Sequence, residues 1–196
     1  MKNDIFEEYL IEKEPLKYEK GYAWHTAIGL QAVDGLDTSE YDYSIGSVHY
    51  IKRGGGYIDF SKNALIFDDA IKKYYCGFGM EMVKDYYRTL ARLPEYGNFD
   101  IIGHFDVITK HCEKYNFFDM SSKKYLSYAF ETAEALKGKI PFFEVNTGAI
   151  ARGYRTTPYP SIPILKELKR LGFGAVITSD CHEKELLDCH FNEAEE

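Results

Sequence analysis

The apolar positions of this chain fall into short clusters whose spacing alternates between helix-like and strand-like. Ile5, Phe6, Tyr9 and Leu10 recur at helical spacing among acids, predicting a helix over 3–19 that Pro15 interrupts. Residues 22–33 are mostly apolar or β-prone and predict a strand, and Asp34-Gly35 predicts the turn after it. Tyr43 to Ile51 predicts a short buried strand, with a loop at Gly54, Gly55 and Gly56. A long helical region is predicted over 66–93. Gly77 and Gly79 break or kink it, since each costs about 1 kcal/mol in a helix interior.

The alternation continues to the end of the chain. Phe99 to Phe105 predicts a strand. Ser121 or Ser122 caps a predicted helix with Leu126, Ala129, Phe130 and Ala133 on one face, and Gly138 stops it. Phe142 to Val145 predicts a strand. A helix capped by Ser161 follows, with Pro163 in its first turn and Leu165, Leu168 and Leu171 on one face. Lys169 and Arg170 sit in its last turn, where cations suit the helix dipole. Ala175 to Ser179 predicts the last strand, and 183–196 begins one more helix. Such alternation predicts an α/β fold with a mainly parallel sheet, whose ligands sit at the carboxyl ends of the strands.

Composition narrows the function only modestly. The 196 residues predict one domain, and 45% hydrophobic with 28% charged residues excludes a disordered or low-complexity chain. A net charge of −7 disfavours non-specific nucleic-acid or membrane partners. No apolar run reaches the roughly 18 residues of a membrane helix, and Met-Lys-Asn-Asp is not a secretory signal. Cys76, Cys112, Cys181 and Cys189 form no C-x-x-C pair, so reduced thiols in the cytoplasm are expected.

The strand ends carry the candidate chemistry. His49 ends the second predicted strand, His104 and Asp106 the third, Glu144 and Asn146 the fourth, and Asp180 and His182 the last. Imidazole and carboxylate together suit a borderline divalent metal such as Zn, Mn or Fe. By strand alternation Asp180 and His182 face one way and Cys181 the other, into packing. A lone strand-end histidine is more often a hydrogen-bonded core or loop residue. Three of them on separate strands, each with a Gly or Ser shortly before it, together with an adjacent Asp, bring the metal-site and structural readings level. His25, His111 and His190 do not share this setting and are read as structural.

Gly46-Ser47-Val48-His49, Ile102-Gly103-His104-Phe105-Asp106, Glu144-Val145-Asn146-Thr147 and Thr178-Ser179-Asp180-Cys181-His182 stand in a characteristic order. Their order and spacing resemble the polymerase-and-histidinol-phosphatase superfamily, most closely its histidinol-phosphatase branch. Arg152-Gly153, the segment Pro158-Tyr159-Pro160-Ser161 and the helix after it resemble that branch too. No single tetrapeptide is specific; four in order, over nearly the whole chain, carry the resemblance.

The resemblance implies a distorted (β/α)7 barrel with two or three divalent metals at the carboxyl ends of its strands. It makes His49, His104, Asp180 and His182 metal ligands, with Asp180 and His182 at the catalytic centre. It makes Arg152 a residue that holds the substrate phosphate and Asn146 part of the substrate pocket, with Asp106 and Glu144 orienting the ligands. A surface ion pair is the competing role for Arg152, and a purely structural role for the other three. The activity implied is metal-assisted hydrolysis of L-histidinol phosphate, in histidine biosynthesis. The alternatives are another phosphoesterase of the superfamily, or a truncated or diverged module that binds metal without catalysis.

The chain also departs from the family pattern. No His-x-His occurs, and His25 is the only histidine before His49. Gly29-Leu30-Gln31 stands where the family has Gly-Leu-Glu, so Gln31 offers a neutral and weaker ligand. Barrels of this type typically run about 250 residues. The expectation is a single domain over 1–196, an incomplete barrel of about five βα units truncated at both ends. It would hold at most one tight metal, with poor activity, and unpaired strand edges would favour self-association.

Overall fold

The structure, a computed structural model, describes residues 21–24 and 42–195. The helix expected over 3–19, most of the strand expected over 22–33, and both His25 and Gln31 lie outside the described residues.

Five strands form a parallel sheet: β1 (Gly21–Trp24), β2 (Tyr43–Gly46), β5 (Ile101–Ile102), β6 (Phe142–Asn146) and β7 (Gly174–Thr178), in that spatial order. All four pairings are parallel, so every strand delivers its carboxyl end to the same edge. β5 is only two residues long, shorter than the strand expected from Phe99 to Phe105. Gly103 leaves the ladder at once, and a turn begins at His104.

The segment Tyr43 to Ile51 is not one strand. The chain leaves the sheet after Gly46, and β3 (Tyr50–Arg53) pairs antiparallel with β4 (Gly56–Asp59) in a separate hairpin. Arg53 pairs with Gly56 across a two-residue loop, and Gly54 and Gly55 both have positive φ, 60° and 79°. That is the backbone a tight type I′ hairpin needs, and adjacent glycines adopt it at no steric cost. The glycine run expected as a loop is therefore the turn of a hairpin.

The helices follow the sequence more closely. The helical region over 66–93 divides into α1 (Ala64–Tyr75) and α2 (Gly79–Leu90), with left-handed Cys76 and Gly77 between them. Asn63 caps α1 by accepting from the Ile66 amide at 2.9 Å. Ser122 caps α3 (Lys123–Leu136) through the Tyr125 amide at 3.2 Å. A short α4 (Gly148–Ala151) follows β6 directly. Ser161 precedes α5 (Ile162–Arg170), but its hydroxyl makes no capping bond. Its amide instead donates to Asp106 at 3.0 Å, tying the helix start to the interior. Ile164, Leu168 and Leu171 are the buried residues of this segment, and Leu165 is only partly covered. The helix expected from 183 is interrupted: a 3-10 turn at Lys184–Leu186, a left-handed His190, then α6 (Phe191–Glu195).

The aromatic content goes largely inward. Phe60, Phe67, Phe105, Phe143, Tyr86, Tyr87 and Tyr125 are all buried. Each such ring contributes roughly 1.5–3 kcal/mol through burial. Tyr86 donates its hydroxyl to the Phe105 carbonyl at 3.0 Å, and Tyr87 to the Tyr125 hydroxyl at 3.1 Å. Among the described residues no helix is long and apolar enough to cross a membrane.

Candidate functional site

β2 and β5 run side by side with Gly46 opposite Ile102. The chains leaving them, Ser47-Val48-His49 and Gly103-His104, therefore emerge as neighbours. Gly103 makes this approach possible, because a Cβ there would collide with the Ser47 hydroxyl. As a result, Nε2 of His49 and Nε2 of His104 lie 3.2 Å apart, with the rings perpendicular.

His49 is held through its ring and His104 through its backbone. His49 Nδ1 is 3.2 Å from the Ser61 hydroxyl, which donates in turn to Asp59 at 3.4 Å. Ser61, just past the end of β4, and Asp59 at that end thus supply the support for His49. His104 is buried, and its backbone amide donates to Glu144 Oε2 at 2.6 Å. Glu144 also accepts from Asn146 at 3.0 Å and from the Thr178 hydroxyl at 2.5 Å. It is buried, and burial foremost, then the Asp180 charge, pushes its carboxyl above the usual range. Asn146 is fully buried, and its side-chain oxygen accepts from the Gly148 amide at 3.0 Å. It braces Glu144 and the turn into α4.

A second cluster forms where β6 and β7 end. Arg152 Nη2 is 3.0 Å from Asp180 Oδ2, and Nη1 donates to the Asp180 carbonyl at 2.6 Å. Nη1 also lies 3.3 Å from Nδ1 of His182. β7 ends at Thr178 and Asp180 has φ 44°, so strand alternation does not reach residues 180–182. The left-handed turn, rather than a strand, orients Asp180 and His182, and Cys181 is part-exposed.

Asp106 is fully buried. It accepts from the Ser161 amide, and its other oxygen is 3.7 Å from the Arg155 guanidinium. Arg155 is itself buried, bonds Thr109 and Thr157, and lies 3.6 Å from Glu113.

Two residues at the site went unremarked in the sequence. Arg155 is one. The other is Lys110, whose ammonium donates to the Ser61 carbonyl at 2.8 Å and sits 4.4 Å from the centre of the Tyr154 ring. Its pKa is lowered, chiefly by burial and then by the Arg152 charge, which places the two cations within electrostatic reach. Its signal was a lysine six residues after a strand-end histidine, in a segment with no periodicity. His111, next to it, is buried between the Phe67 and Tyr154 rings, and burial pushes its imidazole down to about 4.

The histidine pair matches one edge of a metal site. Two nitrogens each about 2.05 Å from a tetrahedral ion stand about 3.3 Å apart, against 3.2 Å here. The rest of the set is not gathered. Among the described residues no group of three or more His, Cys, Asp or Glu side chains is placed to hold one ion, and Asp180 and His182 turn to Arg152 instead.

No known protein-family profile matches the chain, and no curated protein matches it. Among solved structures it is similar to the crystal structure titled "putative histidinol phosphatase hisK from Listeria monocytogenes", with a TM-score of 0.70 and 18% identity. The match covers 79% of this chain and 58% of that one, so the chain spans less than two thirds of that protein. The likeness shows a shared α/β fold with a parallel sheet, which the alternation of helices and strands in the sequence predicts.

Proposed function

We propose that this chain is a divalent-metal-dependent phosphomonoester hydrolase, with L-histidinol phosphate as its substrate. The observation that carries the proposal is the 3.2 Å approach of His49 and His104, linked through Glu144 to the strand end that bears Asp180. His49 and His104 would hold the ion, which when bound supplies Lewis acidity and a water of lowered pKa.

The chain's own residues account for the rest of the work. Arg152 presents a guanidinium fork that matches phosphate oxygens in a bidentate way. Because it now grips Asp180, an arriving phosphate has to exchange with that carboxylate. Release of Asp180 and His182 from Arg152 would then free two further donors for an ion. Lys110, within electrostatic reach of Arg152, adds a second positive charge for a dianionic substrate. Glu144 keeps His104 in register by holding its amide.

The test is phosphate release from L-histidinol phosphate, p-nitrophenyl phosphate and a short oligonucleotide, with Zn, Mn or Fe supplied in turn. Turnover of histidinol phosphate well above the other two supports the reading. Cleavage of the oligonucleotide alone would overturn it, and the net charge of −7 already disfavours that outcome.

One observation favours a second reading, a metal-binding module without catalysis. The Arg152–Asp180 ion pair satisfies the carboxylate that a second ion would need. One bound metal per chain with no turnover of any phosphomonoester would select that reading.

A further inference from the structure

Tyr159 carries a buried polar atom that no bond of the fold explains. It is 2% exposed, and among the described residues its hydroxyl has no hydrogen-bond partner. The other buried tyrosines named above, Tyr86, Tyr87 and Tyr125, all bond theirs. A buried hydroxyl left without a partner costs as much as a lost hydrogen bond, so such groups mark places where a ligand or water completes the set.

The position of the ring is fixed. Tyr159 exchanges both backbone bonds with Asn146, at 2.8 and 3.0 Å, which pins it beside the carboxyl end of β6. Its ring stands 6.4 Å from the His104 ring, and the Arg155 guanidinium lies 4.6 Å from its centre. The hydroxyl is within electrostatic reach of the buried pair Arg155–Asp106 and also of the site pair Arg152–Asp180. Burial raises its pKa, so it stays a neutral O–H at physiological pH and is available as a donor.

We infer that the Tyr159 hydroxyl donates a hydrogen bond to an oxygen of the phosphomonoester held at His49, His104 and Arg152. This rests on the phosphoester reading of the site. No proton is transferred: the phenol keeps its hydrogen, and the bond strengthens as charge builds on the oxygen it faces. Tyr159 is then a substrate-contacting residue, and the phosphate oxygen is the partner that its buried hydroxyl takes.

Tyr159→Phe tests this, since it removes one oxygen and keeps the ring against His104 and Arg155. Three readouts on the metal-supplied full chain decide it: the Tm, the affinity for inorganic phosphate by calorimetry, and kcat/KM for p-nitrophenyl phosphate. The expected result is an unchanged or higher Tm, with phosphate affinity and kcat/KM each lowered about tenfold or more, the weight of a hydrogen bond to a charged group. Unchanged affinity and kcat/KM would overturn the inference and assign the hydroxyl to a structural water. A clear fall in Tm with unchanged phosphate affinity would overturn it too, by showing a purely structural role. If the wild-type chain binds no phosphate and turns over no phosphomonoester, the site reading fails and this inference falls with it. Retained wild-type binding with a silent variant fails this inference alone.

Discussion

Arg152 and Asp180 form an ion pair at 3.0 Å, reinforced by a second guanidinium bond to the Asp180 carbonyl at 2.6 Å. The cation suited to a substrate phosphate and the carboxylate suited to a metal neutralise each other. The pair is part-buried rather than solvated, so its geometry constrains both residues.

Removing the cation should therefore have opposite effects on the two functions. Arg152→Ala is expected to free Asp180 and raise divalent-metal affinity several-fold while lowering kcat/KM for p-nitrophenyl phosphate about 10²-fold. Metal titration beside steady-state kinetics checks this. Equal metal affinity in variant and wild type would show that Asp180 is not a ligand in waiting.

The support behind His49 makes a second prediction. An imidazole that ligates through one nitrogen is fixed by the bond its other nitrogen makes, and losing that bond typically costs 10–100-fold in metal affinity. Ser61→Ala removes the hydroxyl 3.2 Å from His49 Nδ1. Zn or Co titration should show affinity falling by about that factor, with near-unchanged circular dichroism. Asp59→Asn, one step further back, should have a smaller effect in the same direction.

How far the sequence could reveal these contacts depends on their range along the chain. The helices around Leu126 and Leu168 were legible because apolar periodicity is a local signal, joined at the first by the Ser122 cap. The strand-end residues were legible because parallel strands share one carboxyl edge. The hairpin behind His49 was not, because Tyr50 to Ile58 carries alternation too short to separate from the strand before it. Nor was the Arg152–Asp180 bond, which spans 28 residues and depends on the left-handed turn at Asp180. Arg155 was hidden for a similar reason. Its partner Asp106 stands far away in sequence, and nothing local marks an arginine as buried.

His111 makes stability depend on pH. Its folded-state value is depressed to about 4, against about 6.5 in the unfolded chain. Between those values the unfolded chain binds a proton that the folded chain refuses. Its contribution is therefore intact above about pH 6.5 and is lost as pH falls towards 4, at up to about 1.4 kcal/mol per pH unit. Urea unfolding at pH 7, 6 and 5 should show this slope in the wild type and a shallower one in His111→Gln. Parallel slopes in the two proteins would assign the dependence elsewhere.

The buried pair Arg155–Asp106 should behave as a unit. Both side chains are nearly inaccessible, at 3% and 0% exposure, so either charge left alone has no water to turn to. Arg155→Met is expected to cost about 3–5 kcal/mol, since it strands a buried carboxylate. Asp106→Asn keeps an acceptor for the Ser161 amide but strands the guanidinium, apart from Glu113 at 3.6 Å. Because Glu113 remains, that variant should lose less. In the double variant neither charge is stranded, so its loss should fall short of the sum of the two single losses by at least about 1 kcal/mol. Additive losses in chemical denaturation would show that the two charges are stabilised independently. The network would then hold Asp106 through Ser161 and Tyr125 rather than through Arg155.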